Sequence, residues 1–156
     1  MWLTNQSQLV GQLRSGTVLG FDFGTKRIGV AVGEIKIGMA HPLETVIGEK
    51  NEQRFNIIAR LIRTWQPVML VVGLPTHIDG TEHELTRLSR RFAGSLEGRF
   101  NINVWLIDER YTSLVASEML RELGIKGRKQ KTKLDQIAAQ QILQSFFNEY
   151  QRVTTT

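Results

Sequence analysis

Three acidic positions stand where acids are awkward. Asp22 is the one acid of VLGFDFGTKRIGVAVG (residues 18–33), a run that is otherwise mostly apolar and rich in glycine. A carboxylate stripped of water in such a strand is costly unless something cationic meets it. Asp108 and Glu109 close the run NVWLIDE. A strand sends alternate side chains to opposite faces, so one of these two shares a face with Asp22, and alternation alone does not say which. Asp135 is followed at helical spacing by Ala138, Ala139, Ile142 and Phe146. It therefore heads the stripe that should pack on a sheet.

Singly, each acid has an ordinary reading. An acid in a first helical turn favours the helix dipole, and an acid at a strand end suits a turn. Together, two strand ends and one facing helix can bring three carboxylates to one point. They cannot all stay ionised there without cations between them. Oxygen-only donors and a chain without cysteine point to Mg²⁺ or Mn²⁺. Two such ions can activate a water and stabilise the leaving oxygen of a phosphodiester. Positive charge is interspersed at Lys26, Arg27, Arg110, Arg128, Lys129, Lys131 and Lys133, as a phosphate backbone would require.

The elements that must position these residues follow from the apolar pattern. TVLGFDF, RIGVAVG and IKIGMAHPLETV read as three antiparallel strands with short breaks. Phe55, Ile58, Ile62 and Trp65 then recur at helical spacing before Pro67. VMLVVGLP is a continuous apolar run of the buried parallel kind, ended by Gly73 and Pro75. A helix follows, with Thr81 and Glu84 at capping-box spacing and a stripe of Leu85, Leu88, Phe92 and Leu96. INVWLIDER is a fifth strand, and TSLVASEMLRELG a helix ending at Gly124. IKGRKQKTK, without apolar periodicity, reads as a basic loop before the last helix, LDQIAAQQILQSFFNEY. The expected fold is α/β, a mixed sheet with helices on both faces. Residues 1–16 read as an extension, 17–150 as one domain and 151–156 as a flexible tail.

Composition sets the bounds. The 156 residues are 41% hydrophobic and 22% charged, as in an ordinary globular protein. Without cysteine there is no disulfide, thiolate zinc site or iron–sulfur cluster. No apolar run reaches membrane-span length, and the first residues lack the pattern of a signal peptide. The expectation is a cytoplasmic protein with no membrane partner. A net charge of +5 suits a polyanionic partner, a weak signal on its own.

FDFGTKRIGVAVG, VVGLPTHIDGT, DERYTS and KLDQIAAQQIL resemble, in order and spacing, the four signature blocks of the YqgF/RuvX family, RNase H-like nucleases related to the RuvC resolvase. The resemblance covers Thr17 to about Tyr150. It implies an RNase H-like fold with a five-stranded mixed sheet, three antiparallel strands and then two parallel ones. It also implies metal-holding, catalytic carboxylates at Asp22, Glu109 and Asp135, favouring Glu109 over Asp108 and leaving Asp108 a supporting role. Such proteins are associated with trimming the 5′ end of precursor 16S rRNA, so RNA, in ribosomal precursor particles, is favoured over branched DNA. A Holliday-junction resolvase and a non-catalytic RNA-binding assembly factor are the rival readings.

Other positions have structural expectations. Gly24 and Gly29 suit close approach of a backbone or ligand beside Asp22, and Gly73 and Pro75 suit strand-end geometry. His77, Asp79 and His83 cluster, but turn and cap roles are favoured over a metal site. Trp65 and Trp105 are expected in the core, and Arg87, Arg90 and Arg91 on a solvated helix face. FDFGTKRIGVAV also looks like the first phosphate loop of the actin and sugar-kinase ATPases. Those close two domains over ATP, whereas this chain reads as one domain and has no Walker-type loop.

Overall fold

The computed structural model describes residues 13–77, 79–109 and 127–155, with the backbone alone for 127–130 and 152–155. Strands β1 (Thr17–Phe23), β2 (Arg27–Glu34) and β3 (Met39–Ile47) form an antiparallel meander. Helix α1 (Asn51–Trp65), strand β4 (Met69–Leu74), helix α2 (Glu84–Phe100) and strand β5 (Val104–Asp108) follow, and helix α3 spans Gly127–Thr155. The sheet order is β3-β2-β1-β4-β5, with β1–β4 and β4–β5 parallel.

Strand alternation divides the apolar residues between two cores. Val18, Ala31, Met69, Val71 and Trp105 face α3, meeting Ala139, Ile142, Leu143, Phe146 and Phe147. Leu19, Phe21, Val30, Leu70, Val72 and Val104 face the other way, against Ile58 and Leu61 of α1 and Phe92 and Leu96 of α2. The expected mixed sheet with helices on both faces is what forms.

Helix α3 is held on the sheet by more than its apolar stripe. Gln136, Gln140 and Gln144, spaced by four, turn toward the edge strand β3. Gln136 Nε2 donates to Thr45 Oγ1 at 3.1 Å, Gln140 Nε2 to the Ala40 carbonyl at 3.0 Å, and Gln144 Oε1 accepts the Ala40 amide at 3.0 Å. Edge-strand backbone groups are thereby satisfied, and the register of α3 along the sheet is fixed.

Several local expectations are corrected. The run around residues 127–133 is helical, not a loop: lysine, arginine and glutamine are good helix formers that need no apolar stripe. The same helix continues past Tyr150 to Thr155, where a flexible tail is expected. The third strand begins at Met39 rather than Ile35, since residues 35–38 form the turn after β2. Helix α2 begins at Glu84 with His83 as its N-cap, not at Thr81. Asp79 engages Thr81 instead, accepting its amide at 2.9 Å and its hydroxyl at 2.7 Å. Thr86 Oγ1 takes the His83 amide at 3.1 Å and donates to the Pro75 carbonyl. Trp65 is 38% exposed, because α1 ends there and the chain turns away through Gln66 at φ 46°. Trp105 is buried as expected.

Candidate active site

The strand register decides which acids meet. Asp22 follows Val18 and Gly20 on the α3 face of β1. Glu109 follows Trp105 and Ile107 in the same alternation, its amide bonded to the Leu74 carbonyl at 3.1 Å. Glu109, 8% exposed, therefore lies on the Asp22 side of the sheet. Asp108 falls on the other side, exposed, and accepts a hydrogen bond from Thr76 Oγ1 at 3.0 Å.

Two glycines make room for the other acids around Asp22. Gly29 pairs with Asp22 across β1–β2, and a Cβ on it would run into the Asp135 carbonyl. The bare backbone of β2 is thus the seat on which the first described turns of α3 rest, and it stations Asp135 beside Asp22. Gly73 lies one residue beyond the Phe21–Val72 pair of β1 and β4. A Cβ there would strike Ile142 and come within 2.9 Å of the Glu109 carboxyl carbon. Gly24, in the β1–β2 turn, sits against the Arg27 carbonyl.

Electrostatics follow from this crowding. Burial and then the Asp135 charge push the Asp22 pKa up to about 7, against the hydrogen bond from Glu109, which lowers it. Burial, then the Asp22 charge, push Glu109 up to about 9, so that it donates its proton to Asp22 in a hydrogen bond. Burial also raises Asp135, while Arg27 pulls against it. Arg27 Nε donates to Asp135 Oδ2 at 2.7 Å, with side chains 36% and 17% exposed respectively. As these side chains stand, no group of three or more His, Cys, Asp or Glu among the described residues is arranged to grip an ion. The third acid faces Arg27. The donor set nonetheless suits a hard divalent cation: Asp22, Glu109 and Asp135 offer only carboxylate oxygens, and the raised pKa values of Asp22 and Glu109 mark where a cation would offset their crowding.

Of the basic residues, Lys26, Arg27 and Lys131 line one groove of about 600 Å³ together with Glu49 and Thr132. Lys133 is exposed two residues before Asp135. Arg110 lies outside the described residues, as do the side chains of Arg128 and Lys129 and the expected helix at 112–124. On α2, Arg87 pairs with Glu84, and Arg90 with Glu82 at 2.8 Å. His77 and His83 stack edge to face at 4.8 Å.

One buried residue escapes sequence reasoning. Arg54 of α1, 6% exposed, reaches under the β1–β2 turn. Its Nη1 donates to the Gly24 carbonyl at 2.7 Å and the Thr25 carbonyl at 3.1 Å, and its Nη2 to Asn51 Oδ1 at 2.9 Å. Its guanidinium lies 5.2 Å from the Phe23 ring centre. Arg54 staples the turn that separates Asp22 from Lys26 and Arg27. Its position within the helical stripe, next to Phe55, was the only available signal.

Sheet order, strand directions and covering helices together define an RNase H-like α/β protein. The same fold appears in T. thermophilus RuvC in complex with Holliday junction substrate, at a TM-score of 0.52 and 18% identity, covering 88% of this chain and 97% of that one. The family described as "RuvX: Holliday junction resolvase" matches residues 16–149, and the chain belongs to that family. A relative from Nitrosomonas europaea, named "Putative pre-16S rRNA nuclease", is 61% identical over 86% of this chain and 90% of its own length. A relative of the same name from Nitrosospira multiformis is 56% identical over 97% and 99%.

Proposed function

We propose that this protein is a metal-dependent nuclease that hydrolyses phosphodiester bonds at the 5′ end of precursor 16S rRNA, acting in the cytoplasm on ribosomal precursor particles. The observation that carries the reading is half-buried Asp22 crowded against buried Glu109, with Asp135 beside it and a basic groove alongside. A structural role gains little from carboxylates crowded into a phosphate-facing position, because each is disfavoured there by burial and by its neighbour. The names of the relatives favour RNA over a DNA junction.

Asp22, Glu109 and Asp135 would hold one or two Mg²⁺ or Mn²⁺ ions, and these supply the positive charge that activates water and stabilises the leaving oxygen. The chain's own groups do the rest. Lys26, Arg27 and Lys131 line the groove and bind successive backbone phosphates, with Lys133, Arg110, Arg128 and Lys129 assigned to the same task. Gly29 and Gly73 set the spacing of the acids. Arg54 and Gly24 fix the turn, so that Asp22 and the basic residues beyond it keep one geometry.

The test is end-labelled precursor 16S RNA and a four-way DNA junction, each incubated with the protein in Mg²⁺, Mn²⁺ or EDTA. Cutting of the RNA, abolished by EDTA, is expected. Cutting of the junction alone would transfer the assignment to the resolvase that the family description names. Tight RNA binding without cutting in any metal would make the protein an assembly factor.

A further inference from the structure

The Arg27–Asp135 pair has a feature that the proposed chemistry does not use. The third acid of the centre is engaged by a guanidinium at 2.7 Å, and that guanidinium belongs to a residue lining the basic groove. Arg27 is the more exposed partner, 36% against 17%, so it can be reached from the groove while Asp135 is held inside. The backbone of Asp135 cannot retreat, because it is seated on Gly29 and its helix is tied to β3 through Gln136 and Gln140. Among the described groups near Arg27, Lys26 and Lys131 share its sign, and Glu49, on the same groove, is not paired with it among the ion pairs of the structure. A guanidinium binds phosphate through the same planar fork that it offers a carboxylate. An incoming backbone phosphate therefore competes with Asp135 for one and the same group.

We infer that Arg27 is a latch on Asp135: it occupies the carboxylate while the groove is empty and passes to a backbone phosphate when a strand enters, freeing Asp135 to join Asp22 and Glu109. The inference rests on the proposed acid centre and adds a regulation to it. Divalent ion and nucleic acid then bind with positive coupling. Each raises the affinity for the other by the same factor. The centre would be completed by its substrate, and an empty protein would hold its ions weakly. Arg27 is a positioning residue with respect to the ion, acting through Asp135.

Calorimetric titration with Mn²⁺ tests this without relying on turnover. Wild type, Arg27→Gln and Arg27→Lys are each titrated alone and with a saturating short phosphorothioate RNA. The wild type should bind Mn²⁺ about tenfold more tightly with the RNA than without it, within the usual range of coupling factors. Arg27→Gln should bind Mn²⁺ about tenfold more tightly than wild type in the absence of RNA and gain little from adding it. Arg27→Lys, which keeps the charge but not the fork, should fall between. Unchanged or weaker Mn²⁺ binding by Arg27→Gln would overturn the latch. So would a wild type whose Mn²⁺ affinity is indifferent to RNA, a result that stands even if Arg27→Gln does not fold. Titration of Asp22→Asn separates the two claims. If Asp22→Asn binds Mn²⁺ like wild type, the acid centre itself is wrong. If it binds far more weakly while Arg27→Gln matches wild type, only the latch is wrong.

Discussion

Asp22 and Glu109 keep protons that ordinary carboxylates lose well below neutrality; the first cause is loss of solvent, to which the Asp135 charge adds at Asp22 and the Asp22 charge at Glu109. Both pKa values are raised in the folded protein, from 3.8 to about 7 and from 4.5 to about 9. The native state therefore binds more protons than the unfolded chain across that interval. The resulting stability is fully present below about pH 4 and is lost as pH rises through both folded values. In EDTA, the unfolding free energy of the wild type should fall between about pH 5 and about pH 9. Asp22→Asn should remove much of that fall and be the more stable protein at the alkaline end, by on the order of 1–4 kcal/mol. Urea unfolding of both proteins across this range measures it, and parallel curves would show that Asp22 is an ordinary carboxylate. Asp22 was legible in the sequence because it is the one acid in its run. Glu109 was separable from Asp108 only through the family resemblance, because alternation needs a reference that the packing of Trp105 and Ile107 on α3 supplies. Arg54 left only its place in the helical stripe as a sign: its burial depends on carbonyl groups of a turn far away in the chain.

The elements matter here for how closely they approach. Helix α3 can bring Asp135 to Asp22 because β2 offers Gly29, with no side chain, beneath it. Gly29→Ala should force the helix away from the sheet at its active end and cost about 1–3 kcal/mol, as overpacking does. It should also lower cleavage more than RNA binding, since the groove cations remain. Thermal unfolding and RNA affinity measured on the same preparation check both parts, and a variant with wild-type stability would mean that α3 does not rest on Gly29. The apolar stripe of α3 and the strand runs could be read because their periods are regular. The helical course of residues 127–133 could not, since a polar, basic run carries no period. Gln136, Gln140 and Gln144 recur every four residues without an apolar signal. In the structure they bond the sheet edge, and a polar side chain does not announce whether its partner is water or a strand.

Over the whole molecule, a net charge of +5 describes a tendency, and its placement decides the partner. Lys26, Arg27 and Lys131 line a groove next to the acids, while Arg87 and Arg90 on α2 are engaged by Glu84 and Glu82. Groove and helix face should therefore behave differently. Lys26→Ala and Lys131→Ala should each weaken RNA binding and reduce the slope of log affinity against log salt by about 0.7–1. Arg87→Ala should leave the slope unchanged. Fluorescence anisotropy over a salt series measures this, and equal effects at all three positions would contradict a directed groove. No helix among the described residues is long and apolar enough to cross a membrane. The central claim is that Asp22, Glu109 and Asp135 form one hydrolytic centre. The most direct test is single-turnover cleavage of precursor 16S RNA in Mg²⁺ by wild type, Asp22→Asn, Glu109→Gln and Asp135→Asn, with RNA affinity measured in parallel. The account predicts that each substitution lowers the cleavage rate by at least about a hundredfold while RNA binding is kept. Cleavage at the wild-type rate by a folded Asp22→Asn would contradict it.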